Sequence, residues 1–489
     1  MPTSAPGTSD LLEQAAREIR NGKLDQAMQS YEAALARDAA LPDAWFNLAW
    51  LQRVARRFDD ALRSYAEALA HGVAQPEQAH LNRAAILSEH LQRSSAAEDE
   101  LRAALSVNSR FVPAWLNLGN LHEDQGRPDQ AIAAYREALA IEPGNGRAHE
   151  RLGMIDVHLG RSGQAVARLK DALTVARTSE DRAEMLFALG TALDAQGCYD
   201  DAFQAFEAAN WLARSVARRR YDPRAHERLI DSIIAAVPHP VPPADPDGSA
   251  PIFICGMFRS GSTLAEQILG RHPLITSGGE LDFIPAMIQS QLQPYPQTLA
   301  ALTPADSARL RADYLLGLAR TGLGDGLVTD KRCDNFLHIG LIKALFPEAK
   351  IVHTVRRPLD NLLSIYFLHF GEAVTYGHDL RDAAHFYVQY RRLMAHWRRL
   401  FAGDIHDLDY DQTVSEPRAT VEPLLSLIGL QWDEACLGSR SGAVRTASAW
   451  QVRQPIHTRS SGRWRYYRDH LGQARQILAA GGLDDETDE

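Results

Sequence analysis

The chain has 489 residues, 45% of them hydrophobic and 23% charged, with a formal net charge of −10 at pH 7. This is ordinary globular composition, long enough for two or three domains. The acidic balance excludes a general nucleic-acid-binding role, which needs a basic face, and leaves only a local basic pocket open.

Met1 to Asp10 is polar, so no signal peptide is expected. No apolar stretch reaches the roughly 18 residues of a membrane helix, so none is predicted. The four cysteines, Cys198, Cys255, Cys333 and Cys436, form no CxxC pair and no metal-ligand spacing. They read as free buried thiols in a reducing compartment. The expectation is a cytoplasmic chain with no metal, no membrane and no nucleic-acid partner.

The first half is periodic. A small residue, an aromatic or Leu four positions on, and Ala three further recur as Ala27/Tyr31/Ala34, Ala61/Tyr65/Ala68, Ala97/Leu101/Ala104, Ala131/Tyr135/Ala138, Ala165/Leu169/Ala172 and Ala202/Phe206/Ala209. Most steps are about 34 residues. The fullest copy has Trp115, Leu118, Gly119, Ala131, Tyr135, Ala138 and Pro143. These positions resemble the tetratricopeptide repeat, which implies stacked helix pairs, an α-solenoid. No pair alone can bury its apolar face, so neighbours must stack. Gly22, Gly126, Gly160 and Gly197 fall between helices. Such an array presents a surface for a peptide or protein, homodimerises, or shields a second domain.

The pattern fades after Ala209. Asp222 and Pro223 predict a cap and first turn for a helix running to Ala236. Five prolines between Pro238 and Ser249 then predict an extended linker. The expected organisation is an array over 1–215, a helix and Pro-rich linker over 216–250, an α/β domain with a mostly parallel sheet over 251–475, and an acidic tail over 476–489.

Within that domain, Ile252 to Cys255 reads as a strand and Leu264, Ile268 and Leu269 as a helix. Between them lies Gly256-Met257-Phe258-Arg259-Ser260-Gly261-Ser262-Thr263. A glycine-rich turn from strand to helix favours an anion, through its N–H groups and the helix N-terminus. The spacing is that of a nucleoside-triphosphate loop, but Ser262 stands at the lysine position and Arg259 supplies the charge. That departure points to a different phosphorylated ligand. Lys350 to Val355 reads as a second strand, ending in Arg356-Arg357-Pro358 with Ser364 on the following helix. Arg356 and Ser364 make a clamp for a second phosphate; the rival reading of Arg356 is a surface ion pair with Asp360.

Together these motifs resemble the sulfotransferase superfamily, in the branch of tyrosylprotein sulfotransferases and their repeat-fused relatives. The resemblance covers Pro251 to about His470. It implies 3′-phosphoadenylyl sulfate as sulfuryl donor, its 5′-phosphosulfate end held by Arg259, Ser260, Gly261, Ser262 and Thr263. Its 3′-phosphate falls to Arg356 and Ser364. Glu280, in Ser277-Gly278-Gly279-Glu280, matches a catalytic Glu, and Lys331, in Thr329-Asp330-Lys331, a catalytic Lys. Tyr410 matches a Tyr near the adenine. Ser448, three before Gln451, and Arg463, in Gly462-Arg463-Trp464, match the segment that covers the nucleotide; Arg463 replaces the usual Lys.

The implied reaction is sulfuryl transfer to a hydroxyl, most simply tyrosine in a peptide or protein. Glu280 would act as general base, with Arg259 and Lys331 neutralising charge on the leaving phosphate. The alternatives are a small-molecule, glycan or lipid hydroxyl as acceptor, and a non-catalytic adaptor whose second domain senses nucleotide. His353 reads as a core residue, and Arg391, Arg392, Arg398 and Arg399 as a solvated helix face.

Overall fold

The repeat pattern is realised as antiparallel helices in a computed structural model that describes residues 7–91, 93–245, 250–323, 326–438 and 458–483. The chain divides into two units, Met1–Ala195 and Gln196–Glu489. In the first, among the described residues, lie α1 (Thr8–Arg20), α2 (Leu24–Leu35), α3 (Pro42–Val54), α4 (Phe58–Ala70), α5 (Pro76–Glu89), α6 (Ser94–Val107), α7 (Val112–Asp124), α8 (Pro128–Ile141), α9 (Gly146–His158), α10 (Ser162–Val175) and α11 (Ser179–Asp194).

The signature residues are the core of this unit. Ala131, Tyr135 and Ala138 of α8 are buried against Val112, Leu116, Ala148 and Leu152. A Cβ on Gly119 would lie 2.4 Å from the Tyr135 ring, so α7 and α8 touch only because that side chain is missing. Tyr135 satisfies its buried hydroxyl by donating to Asn120 Oδ1 at 2.7 Å. All four predicted turn glycines adopt positive φ.

The second unit starts at Gln196. Helix α12 (Tyr199–Val216) carries the sixth copy of the pattern but packs within this unit. Phe206 stacks on Phe367 with centroids 4.0 Å apart, and Phe203 stacks on His470 at 4.1 Å. Asn210 Nδ2 donates to Tyr366 O at 2.8 Å. The pattern specifies a buried helical face, not its neighbour, and here the neighbour is the α/β domain.

Helix α13 (Pro223–Ala236) begins as predicted, with the Asp222 side chain accepting from Ala225 N. The following segment is extended but not loose. Val237, Val241 and Ala244 are buried, Ala244 N donates to Ala344 O at 2.8 Å, and Ser307 Oγ donates to Pro242 O at 2.9 Å.

The sheet contains β1 (Ile252–Gly256), β2 (Ile275–Ser277), β3 (Leu327–Lys331), β4 (Ile351–Val355) and β5 (Ile405–Asp409), in the order β2-β3-β1-β4-β5. Every pairing is parallel. Between and around them run α14 (Ser262–Leu269), α15 (Phe283–Gln291), α16 (Pro304–Arg320), α17 (Ile339–Leu345), α18 (Pro358–Tyr366), α19 (Leu380–Leu400), α20 (Tyr410–Ser415) and α21 (Pro417–Leu427).

β1 is buried along its whole length, as a central parallel strand covered on both faces must be. Its alternate residues serve different layers. Ile252 and Ile254 join Ala265 and Ile268 of α14 and Leu424 and Leu425 of α21. Phe253 meets Tyr314 of α16 and Phe346 on the other face.

A further helix spans the expected domain end at 475. The helix Gly472–Ala480 buries Ala474 and Leu478, and a Cβ on Gly481 would press on Val388 of α19. Among the described residues no helix is long and apolar enough to cross a membrane. Cys255, Cys333 and Cys436 are buried free thiols, whereas Cys198, at the start of α12, is exposed, contrary to expectation.

Candidate functional site

The chain leaves β1 toward β2 on one side of the sheet, then after β3 crosses to β4 on the other. Such a reversal opens a crevice at the carboxyl ends of the strands, where open α/β sheets bind ligands. Each of the five strands delivers a candidate residue to that edge. The glycine loop follows β1, Glu280 follows β2, Lys331 ends β3, Arg356 follows β4 and Tyr410 follows β5.

The loop is tight. Gly256 has φ 151° and Gly261 φ 102°. A Cβ on Gly256 would lie 2.5 Å from Thr354 O, and one on Gly261 2.7 Å from the Tyr410 ring. Between them Arg259 adopts φ 67°, a left-handed conformation that costs a non-glycine residue free energy and clusters at functional sites.

Arg259 and Ser364 meet, with Nε donating to Oγ at 3.1 Å. Arg356 Nη1 donates to Arg259 O at 3.1 Å, so the two predicted phosphate clamps adjoin. Burial and the neighbouring Arg356 charge lower the Arg259 guanidinium to about 10, still protonated at neutral pH.

Arg356 is buried rather than paired at the surface. It lies 4.7 Å from the Tyr410 ring centroid, worth up to about 2 kcal/mol when desolvated. Its Nη2 donates to Ser460 O. Its Nε is buried and, among the described residues, meets no hydrogen-bond partner. Asp360 instead accepts from Gly462 N at 2.6 Å and Trp464 N at 2.8 Å, fixing the start of the 3₁₀ helix Arg463–His470. Arg463 lies over the Phe367 ring at 5.3 Å, and its charge depresses both Arg259 and Arg356.

Not every loop hydroxyl faces outward. Ser260 is 2% exposed; its Oγ donates to Met257 O at 2.7 Å and lies 2.7 Å from Thr354 Oγ1. It holds the loop's shape rather than offering a free donor. Ser262 Oγ lies 3.4 Å from Cys333 Sγ, and Thr263 is buried at the start of α14.

On the other side of β1, Lys331 Nζ donates to Glu280 Oε1 at 2.6 Å. Lys331 is buried, whereas the Glu280 side chain is 55% exposed and reachable. Burial alone would lower the Lys331 ammonium; Glu280, Cys333 and Glu266 outweigh it and raise it. Asp330 points elsewhere. Tyr314 Oη donates to it at 2.7 Å, and burial pushes its carboxyl up to about 7. Ser448, with the rest of Thr446 to Pro455, lies outside the described residues.

The motifs did not reveal Glu266. It is buried on α14, beside Ala265, and its only sequence signal is a carboxylate interrupting an apolar helix. His353 is a core residue as read, its Nδ1 2.7 Å from Asp407 Oδ1 and its Nε2 against the Tyr390 hydroxyl. Arg398 donates to both Asp407 oxygens at 2.6 Å and Arg392 pairs with Asp231, so that face is braced by ion pairs rather than merely solvated.

Three comparisons bear on this site. The model of the sulfotransferase family matches residues 251–434, and tetratricopeptide-repeat models match 12–79, 112–145 and 150–223. An uncharacterized protein of Aquifex aeolicus (strain VF5) is 31% identical over 321 residues, 62% of this chain and 42% of its own length. Protein-tyrosine sulfotransferase 1 of Danio rerio is 23% identical over 241 residues, 44% of this chain and 65% of its own length. The chain thus spans less than two thirds of each of these curated relatives. The sulfotransferase domain from the Synechococcus PCC 7002 olefin synthase is 22% identical, covers 50% of this chain and 98% of its own, and superposes with a TM-score of 0.37. Residues 251–434 thus match the sulfotransferase-family model, and matches to tetratricopeptide-repeat models precede them.

Proposed function

We propose that the second unit transfers a sulfuryl group from 3′-phosphoadenylyl sulfate to a hydroxyl, with a tyrosine of a peptide or protein as acceptor. One observation carries the reading. Arg259 and Arg356 converge at the carboxyl ends of β1 and β4, around a loop in which a Cβ at Gly256 or Gly261 would clash. The Nε of Arg356 is buried and meets no hydrogen-bond partner among the described residues, which suits a donor to an anion. The donor set therefore fits a doubly phosphorylated nucleotide. When bound, that nucleotide supplies the sulfuryl group and a stabilised phosphate leaving group.

This chain's residues do the rest. Arg259, Gly261, Ser262 and Thr263 would hold the phosphosulfate end, and Arg356 with Ser364 the 3′-phosphate. Tyr410 and Arg463 line the nucleotide, and Ser448 is assigned there by resemblance alone. Glu280 is exposed enough to reach an acceptor hydroxyl and is held by Lys331. A phenol ionises near 10, so a positioned carboxylate can take its proton as attack proceeds, an effect of about 10²–10⁴-fold. The buried cations Lys331 and Arg259 stabilise negative charge in a site of low dielectric. The repeat array would bring the peptide or protein acceptor, and the reaction would proceed in the cytoplasm.

The test is incubation of the full chain with sulfur-35-labelled donor and a cell extract. Label is expected in protein, at tyrosine, and Glu280→Ala should abolish it while adenosine 3′,5′-bisphosphate still binds. Label in glycan or organic-soluble material would overturn the tyrosine assignment. Nucleotide binding without any transfer would overturn the enzyme reading in favour of a nucleotide-sensing adaptor.

A further inference from the structure

The turn that carries Glu280 is tied to the phosphate-loop helix by one buried carboxylate. Glu266 lies on α14, four residues past Ser262, and is 7% exposed. Its Oε1 accepts from Gly279 N at 2.9 Å and from Thr329 Oγ1 at 2.7 Å. Thr329, fully buried on β3, in turn accepts from Gly278 N at 3.1 Å. Lys331 N donates to Gly279 O at 2.8 Å, and Lys331 Nζ closes the ring by donating to Glu280 Oε1 at 2.6 Å. A Cβ on Gly278 would lie 2.2 Å from Thr329 O, so the turn is pressed directly onto β3.

Burying a carboxylate is costly unless its oxygens are satisfied. An apolar side chain would fill a buried position on α14 without that cost. What a leucine could not do is accept two hydrogen bonds, one from the Glu280 turn and one from β3.

We infer that Glu266 is a positioning residue for the transfer reaction. Through Gly279 and Thr329 it sets Glu280 and Lys331 relative to the loop at the head of its own helix. The inference rests on the sulfuryl-transfer reading above. Its physical content is that the anion-binding loop and the base share one rigid element. A misplacement of about 1 Å between such groups costs about 10²-fold in rate.

The test uses the full chain and three variants, Glu266→Leu, Glu266→Gln and Thr329→Val. The readouts are kcat, donor KM, affinity for adenosine 3′,5′-bisphosphate and Tm. Glu266→Leu should lower kcat about 10²-fold while nucleotide affinity stays within about threefold, the signature of an effect on the reacting geometry. Glu266→Gln, which keeps an oxygen for both donors, should restore most of that loss. Thr329→Val removes the same link from the β3 side and should also lower kcat, so the inference stays falsifiable if the leucine variant does not fold. An unchanged kcat in Glu266→Leu or Thr329→Val would overturn it. A kcat, nucleotide affinity and Tm that fall in step across the variants would also overturn it, by showing a merely structural role. A wild-type chain that binds nucleotide but transfers no sulfate overturns the reaction and this inference together; wild-type turnover with indifferent variants overturns this inference alone.

Discussion

Helices α8 and α12 carry the same spacing of small and aromatic residues, Ala131/Tyr135/Ala138 and Ala202/Phe206/Ala209, and bury it against different things. In α8 the aromatic ring fills the space left by Gly119 of the paired helix. In α12 the ring stacks on Phe367, which on the sequence side belongs to the α/β domain and also lies under Arg463. A repeat motif therefore specifies an amphipathic helix with a close-packing stripe, and the surroundings decide whether that stripe builds a solenoid or packs within an α/β unit.

The largest effects should separate these two uses. Tyr135→Ala and Phe206→Ala each remove a fully buried ring and should each cost about 3–5 kcal/mol in unfolding experiments. Only Phe206→Ala should also weaken binding of adenosine 3′,5′-bisphosphate in calorimetry, because Phe367 supports Arg463. Equal nucleotide affinity in both variants would break the comparison.

Arg356→Ala comes next. Loss of a charge-assisted clamp should weaken nucleotide binding by about 1.5–3 kcal/mol, roughly 10- to 10²-fold. A normal affinity by calorimetry would remove Arg356 from the phosphate site.

Gly119→Ala should destabilise the array by about 1–3 kcal/mol through overpacking against Tyr135, leaving nucleotide affinity intact. Denaturant unfolding and calorimetry on one sample would check both halves.

The smallest effect is a pH dependence within the array. Burial first, and then Glu150, raise the Glu184 carboxyl to about 7. The unfolded value is about 4.3. Between the two the folded state holds more protons, so this group's contribution to stability falls as pH rises from about 4.3 to 7. Glu184→Gln should therefore raise Tm at pH 8 and leave it unchanged near pH 4.

Much of the candidate site was legible in the sequence because a strand–loop–helix turn is local. Arg259, Gly261 and Arg356 sit where a strand end meets a helix start, Ser364 lies on the helix that follows β4, and short spacings report that geometry directly. Resemblance singled out Glu280 and Lys331 separately, but their pairing was not legible, since 51 residues separate them. Glu266 was not legible at all. Its partners Gly279 and Thr329 come from a different turn and a different strand, and no periodicity links them. Nor could motif matching show that Ser260 turns inward onto Thr354, 94 positions away, rather than toward a ligand.

By itself the sequence determined that the first half stacks as helix pairs, that a glycine loop between β1 and α14 favours an anion, and that arginine replaces the usual lysine there. These follow from local backbone preference, residue size and charge, which act over a few positions. Only the tertiary structure decided that α12 joins the α/β domain, that the proline-rich segment is pinned rather than free, and that α14 holds both the loop and the Glu280 turn. Those choices depend on which apolar faces and which unsatisfied polar groups meet in space. Parallel pairing of β3, β1 and β4 brings together residues that chain order keeps far apart.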